Sequence, residues 1–394
     1  MSSLWRTVAS LNAVSTCAQI AQFGLGFTVL PVWLAGRGLG ASQVGVFSSA
    51  QFAGMLAGLA IAPMLLARVG AKRTVMLALA ATLAGFAAMP LAGWPLWIAP
   101  GALIGLGLGL RWIGNETWLY GLVPPESSGR VVGVHEALIG LGGVVAPAFA
   151  AASGVDGRAT FAAGIAFTLL AAMPLMATAY DPRTHVRARR PKGLNEPNEP
   201  RAPLGPLVGL GIVVAAVAGL CDGALYGLLS FFAAGRGLSG AQAATLLMQF
   251  GIGAIAMQVP VGWLVDRAGL AIAIVATAAT GTAAALGLAL PTLSPWATTV
   301  AAIALGGANS AFLTLAMCAA AAANGDAPGR AMRVISLAFG FASIAGPLVA
   351  SALMKAFGSE VLTTLVALAS AMLAIYVLGV QAGRRDATRA RLVR

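Results

Sequence analysis

The sequence predicts an all-α integral membrane protein, with twelve transmembrane helices in two pseudo-symmetric six-helix bundles. Three observations carry that reading. Of 394 residues, 59% are hydrophobic and only 9% charged, where an average soluble domain is about 25% charged. Long apolar runs recur from end to end, each able to cross a hydrocarbon core of about 30 Å at about 1.5 Å per residue. Finally, the second half of the chain repeats landmarks of the first at a nearly constant offset.

The first run, 8–34, follows Arg6 and continues through Cys17 to Trp33. "AVSTC", ending at Cys17, has the outline of a lipoprotein cleavage site, but a run of this length reads as an uncleaved span. The second and third runs, 42–66 and 74–93, flank the basic cluster Arg68, Lys72 and Arg73. The fourth, 97–123, differs from the rest because it carries Arg111 and Glu116 within its apolar stretch. The fifth and sixth, 131–153 and 159–180, complete an N-terminal bundle, 1–180. Segment 181–204 is rich in proline and charge and reads as a flexible linker, with His185 solvated in it. The second bundle, 205–394, holds runs 205–233, 241–265, 270–290, 296–323, 331–355 and 361–381, followed by a basic tail.

Twelve spans place both termini on one side. With the N-terminus inside, 19 of the 24 Lys and Arg residues fall on the inner side and four outside, namely Arg37, Arg158, Arg236 and Lys355, while Arg111 lies within a span. This is the asymmetry of a protein oriented by its inner positive charge, with both termini cytoplasmic in an inner membrane. Topology therefore explains the net charge of +12, and no nucleic-acid partner is expected. Trp33, Trp94, Trp97, Tyr180, Trp263 and Trp296 fall near span ends, where amphipathic rings sit. Cys17, Cys221 and Cys318 lie inside apolar runs and read as small packing residues rather than a disulfide or metal set. No metal or cofactor is expected, and nothing resembles a nucleotide-binding P-loop or a nucleophile with its base, so an ATP-driven pump or an enzyme lacks its chemistry.

The repeat is specific. "AGRGL" at 35–39 returns at 234–238, Gln43 as Gln242, Gly54 as Gly253, and Arg68 and Gly70 as Arg267 and Gly269, all at an offset of 199. Gly129, Arg130, Gly140 and Pro147 return 200 residues later as Gly329, Arg330, Gly340 and Pro347. Two bundles of parallel topology suit rocking about a site at their interface.

"GWLVDRAG" at 262–269 resembles the loop motif of the major facilitator superfamily (MFS), and with the twelve-span repeat the resemblance covers essentially the whole chain; within the superfamily the pattern is similar to the YcaD-like branch. The resemblance implies the MFS fold and a conformational gate at Gly262, Asp266, Arg267 and Gly269, in which Asp266 caps a helix or pairs with a basic residue of a neighbouring helix. The N-terminal copy keeps Arg68 and Gly70 but has Ala67 for the aspartate and Pro63 for the first glycine. "GGVVAP" (142–147) and "SIAGP" (343–347) resemble the antiporter motif of the fifth helix, with Ala146 for its second glycine. The arginine that the family carries early in the fourth helix falls near Gly101 and is absent.

Ionisable residues inside spans cost roughly 2.5–3.5 kcal/mol each at a bilayer centre and are functional candidates by default. They are Arg111, Glu116, His135, Glu136 and Asp222. Arg111 and Glu116, five positions apart, point about 140° away from each other at about 100° per residue, so each needs another partner. A Glu116–His135–Glu136 cluster between the fourth and fifth helices is sterically feasible, and Asp222 lies at a depth to face Arg111 across the bundle interface. Glu116, Asp222, His135 and Glu136 are the proton-coupling candidates, since burial disfavours a charged carboxylate. The competing reading is a static network that holds helices together. Substrate candidates are Arg111, Asn115, Trp112, Gln19, Gln22, Tyr226 and Asn309; Gln51, Gln249, Gln258, Ser310, Trp118 and Tyr120 complete a sparse lining, better suited to an amphipathic or aromatic solute than to a sugar. The sequence thus reads as a monomeric, proton-coupled secondary transporter exporting a small organic solute, with import of a metabolite, or a transporter-like sensor or lipid-handling protein, as alternatives.

Overall fold

The structure, a computed structural model, describes residues 3–123, 125–178, 205–290, 294–321 and 328–392. The linker 181–204, with His185, and Tyr180 lie outside the described residues. Among the described residues eleven helices are long and apolar enough to cross a membrane: α1 (Leu4–Gly36), α2 (Ala41–Val69), α3 (Ala71–Leu91), α5 (Arg130–Ser153), α6 (Gly157–Ala177), α7 (Leu207–Gly235), α8 (Gly240–Ala268), α9 (Leu270–Ala289), α10 (Pro295–Ala321), α11 (Arg330–Phe357) and α12 (Val361–Ala382). The twelfth, α4 (Ile98–Leu122), has the length, but Arg111, Asn115 and Glu116 dilute its hydropathy. The fold is therefore the all-α, twelve-helix arrangement expected from the sequence.

Three spans depart from regular helices. α1 turns π-helical over Ile20–Val29, α5 is interrupted at Leu141, and α8 at Met257. The helix carrying α12 runs on to Leu392, so the backbone beyond 381, expected as a tail, is helical.

The two halves repeat each other in three dimensions. A side chain on Gly54 of α2 would run into the Ala102 carbonyl of α4, and one on Gly253 of α8 into the Ile303 carbonyl of α10. Both glycines exist because the helix backbones touch there. These contacts also correct the register. From α2 to α8 the offset is 199, whereas from α4 to α10 it is 201, so Arg111 corresponds to Phe312 and Glu116 to Met317 rather than to residues 200 positions on. The repeated "AGRGL" turns are alike as well: Gly38 and Gly237 have φ of 85° and 72°, and Arg37 and Arg236 each lie over the ring four residues before, Trp33 and Phe232. Arg236 alone goes further, meeting Glu360 at 2.7 Å.

The halves meet along two seams, α2 against α11 and α5 against α8. Ser49 of α2 donates to the Ile344 carbonyl of α11 at 2.8 Å. On α5, Gly143 and Gly140 abut Gly251 and Ile255 of α8, yet two turns towards the basic end a side chain on Gly133 would meet nothing, nor would one on Gly262 of α8. The seam therefore opens towards the end that carries Arg68, Arg73, Arg130, Arg267 and Arg330. At the opposite end α1 and α2 pack on α7 and α8, as where Val32 and Val155 approach Gly240. Trp33, expected at a lipid interface, is instead 5% exposed, packed edge-on against Trp97 and Phe161.

Candidate functional site

The N-terminal half centres on Arg111, which is 2% exposed. Its Nε donates to Gln22 Oε1 at 2.8 Å, one Nη to Ser15 at 3.1 Å, and the other to Gln19 Oε1. Asn115, one turn on, donates to Ser15 Oγ at 2.7 Å and to the Leu11 carbonyl at 3.2 Å. Gln22 in turn donates to Thr82 of α3 at 2.8 Å. A polar stripe on α1 thus receives α4, and where α1 turns π-helical Gln51 of α2 donates to the Gly26 carbonyl at 2.7 Å. Long π-helical runs are rare, and π-helical turns inside α-helices are frequent at functional sites.

This overturns the expected Arg111 partners. Its hydrogen-bond partners among the described residues are neutral, and Glu116 and Glu136 act on it through space. The reason is geometric: Arg111 points at the α1 stripe of Ser15, Gln19 and Gln22. Gln19 and Gln22, both substrate candidates, hold the guanidinium in this structure, and Gln19 keeps partial exposure.

The expected Glu116–His135–Glu136 cluster also divides. His135 is fully buried and its Nδ1 pairs with Asn12 Oδ1 of α1 at 2.9 Å, leaving Nε2 buried without a partner. Glu116 is hydrogen-bonded by Trp112, one turn before it on α4. Glu136 is exposed and receives Tyr120 at 3.5 Å. Glu116 and Glu136 still interact through space, and Glu136 lies one turn from Gly140, on the side of α5 that faces α8, where the seam opens. Trp118 is 1% exposed and packs in the apolar core of the N-terminal half.

In the C-terminal half Asp222 of α7 accepts from Asn309 Nδ2 of α10. Tyr226, one turn on, is 7% exposed and stands edge-on between Phe23 of α1, at 4.9 Å between ring centroids, and Phe250 of α8, at 5.2 Å. The two candidate halves of the site thus come together at α1: Gln22 reaches Arg111, and its neighbour Phe23 reaches the Asp222 turn. Gln258 joins Ser310 at 2.9 Å and Thr314 at 2.9 Å, and Gln249 joins Thr299 at 3.1 Å; these tie α8 to α10.

The loop-motif residues sit at the basic end. Gly70 and Gly269 have φ of 82° and 86°, conformations that favour glycine, and turn the chain from α2 into α3 and from α8 into α9. Arg267 lies 4.7 Å over the Trp263 ring, and Arg68 is exposed. Asp266 is exposed, caps no helix and forms no ion pair among the described residues; Cys318 of α10 feels its charge.

Asn12, Ser15 and Thr82 join the site without having been expected in it. Asn12, Ser15, Gln19 and Gln22 recur at spacings of three, four and three, a helical face visible in the sequence.

Comparison with known proteins accords with this architecture. Among curated proteins, one similar to the chain is an uncharacterized MFS-type transporter YcaD of Escherichia coli O45:K1 (strain S88 / ExPEC), 25% identical over 243 residues. The chain spans about 62% of the length of that relative, and the match covers 61% of the chain. Solved structures share the fold: the nucleoside transporter NupG, with a TM-score of 0.76 at 12% identity, covering 95% of this chain and 99% of that one, and a D-xylose-proton symporter, with a TM-score of 0.70 at 16% identity, covering 94% and 96%. A sequence model of the Major Facilitator Superfamily matches residues 11–317 and 211–391, and the chain belongs to that superfamily.

Proposed function

We propose that the protein is a secondary transporter of the cytoplasmic membrane, both termini cytoplasmic, that moves a small organic solute by alternating access between its halves. The observation that carries this reading is the α5–α8 seam, packed at Gly140 and Gly143 and open at Gly133 and Gly262 towards the basic end, beside ionisable residues placed within spans. Proton-coupled export is the favoured mode. Glu116 would take up the coupling proton, because with Glu136 it gives two carboxylates within the field of one sealed cation; one added proton brings that set to neutrality. Arg111 anchors the set through α1, and a movement of α1 relative to α4 would change the field at Glu116.

Counterflow in proteoliposomes tests the role of Glu116. In Glu116→Gln, exchange without a gradient should persist while uphill movement driven by a pH gradient is lost. Uphill movement that survives excludes Glu116 as the proton carrier. Import is the second reading, supported by the fold shared with a D-xylose-proton symporter; flux under an imposed gradient of either sign separates the two. Absence of any flux would favour a sensor or lipid-handling role.

A further inference from the structure

We propose that Asp222 and Asn309 form a receptor for a cationic nitrogen, so that the solute is an aromatic amine or a similar organic cation. This rests on the reading of the chain as a solute transporter and names the class of solute.

The site is built from acceptors. Asp222 Oδ1 accepts from Asn309, while its second oxygen has no donor among the described residues. Asn309 is 2% exposed, and its Oδ1 is buried without a partner. Among the described residues no ion pair involves Asp222, and the hydrogen bonds of Arg111 go to α1 rather than to Asp222. Two oxygens thus have acceptor capacity unused: Asn309 Oδ1, which is buried, and Asp222 Oδ2, on a side chain that retains partial exposure.

Buried acceptors without donors are costly, and a ligand that brings N–H donors and positive charge relieves both the hydrogen-bonding and the electrostatic deficit. The neighbouring rings fit such a ligand. Tyr226, one turn from Asp222, stands edge-on to both Phe23 and Phe250, and Phe23, which keeps partial exposure, offers apolar surface and a π-face that attracts cations. An anionic solute would meet Asp222 unfavourably, and a polyhydroxylated one would find few further partners on this aromatic wall. Pseudo-symmetry shows that the receptor is particular to one half: 199 residues before Asp222 stands Phe23, and 201 before Asn309 stands Leu108.

The test uses the purified full chain and three probes of one shape: 2-phenylethylamine, 2-phenylethanol and 3-phenylpropanoate. Titrated thermal shifts should give the amine an apparent affinity about tenfold or more above the alcohol, as loss of a charge-assisted hydrogen bond implies, and the carboxylate should bind most weakly. Asp222→Asn should abolish the preference and Asp222→Glu retain most of it, with the ligand-free Tm reporting folding. Should Asp222→Asn not fold, Asn309→Ala should lower amine affinity in the same direction. No response to the amine, equal affinity for alcohol and amine, or an unchanged amine response in Asp222→Asn overturns the receptor. Proteoliposome flux separates the two readings: amine selectivity without flux defeats transport and leaves the receptor, while amine flux undiminished in Asp222→Asn defeats the receptor and leaves transport.

Discussion

The N-terminal half keeps its cation sealed, with Arg111 held by α1 among amide and hydroxyl oxygens, whereas the C-terminal half keeps a carboxylate, Asp222, with partial exposure. The helices that carry these groups are nevertheless alike in their contacts, glycine for glycine. Side chains where two backbones touch were not free to change after duplication, because any Cβ there collides with a carbonyl of the facing helix. The positions of Arg111 and Asp222 were free, and they diverged: Arg111 has Phe312 as its counterpart, and Asp222 has Phe23. Symmetry in such a molecule marks the scaffold, and asymmetry marks the chemistry.

The strongest way to break that comparison is to strike the scaffold in both halves. Gly54→Val and Gly253→Val should each cost about 3 kcal/mol or more, since packed backbones cannot yield as a flexible side chain does. Size-exclusion profiles and Tm in detergent should show similar losses for the two, while Gly262→Ala, whose added methyl meets open space, should behave as the parent. A variant of one half that folds normally would disprove equal constraint.

Next in size is Arg111→Ala, which removes three hydrogen bonds at about 0.6 kcal/mol each in a membrane interior, or about 2 kcal/mol together. Arg111→Lys should recover little, because an ammonium cannot span Ser15, Gln19 and Gln22 in one plane. Asp222→Asn should change stability by no more than about 1 kcal/mol, since losing an uncompensated charge offsets the altered bond to Asn309. Equal losses of Tm in Arg111→Ala and Asp222→Asn would erase the contrast between a sealed and an accessible charge.

Much of this architecture is legible in the amino-acid sequence. Apolar runs locate every helix, the offset locates the duplication, and the 140° separation of Arg111 and Glu116 denies them a direct pair, at about 100° per residue. Partners are less legible, because depth along a helix leaves rotation about its axis free. Counted along the sequence, Asp222 and Arg111 come to similar depths, but Arg111 turns towards α1. Counting brings His135 near the depth of Glu116, but it turns towards Asn12. The stripe Asn12, Ser15, Gln19 and Gln22 holds that information as a helical period, masked by the surrounding apolar residues. The π-helical stretch of α1 has no comparable signature; within it Gly24 packs against α5 and Gly26 against α4.

The smallest expected effect on stability falls at the loop motif, where the halves differ in the acidic side chain: Asp266 in one copy, Ala67 in the other. Asp266 is exposed and unpaired among the described residues, so Asp266→Asn should shift Tm by no more than the equivalent of about 0.5 kcal/mol. Its effect on flux should be larger than its effect on Tm, because a pairing formed only when the basic end closes would bias one state without stabilising this one. Ala67→Asp sharpens the point by restoring the carboxylate beside Arg68. If the aspartate acts as a latch, this variant should slow opening of the basic end, read as reduced accessibility of a thiol introduced at Gly133, where the seam is open. Unchanged labelling in Ala67→Asp together with normal flux in Asp266→Asn would show that the motif's glycines, which set the turns at φ of 82° and 86°, are the part of it that this chain uses.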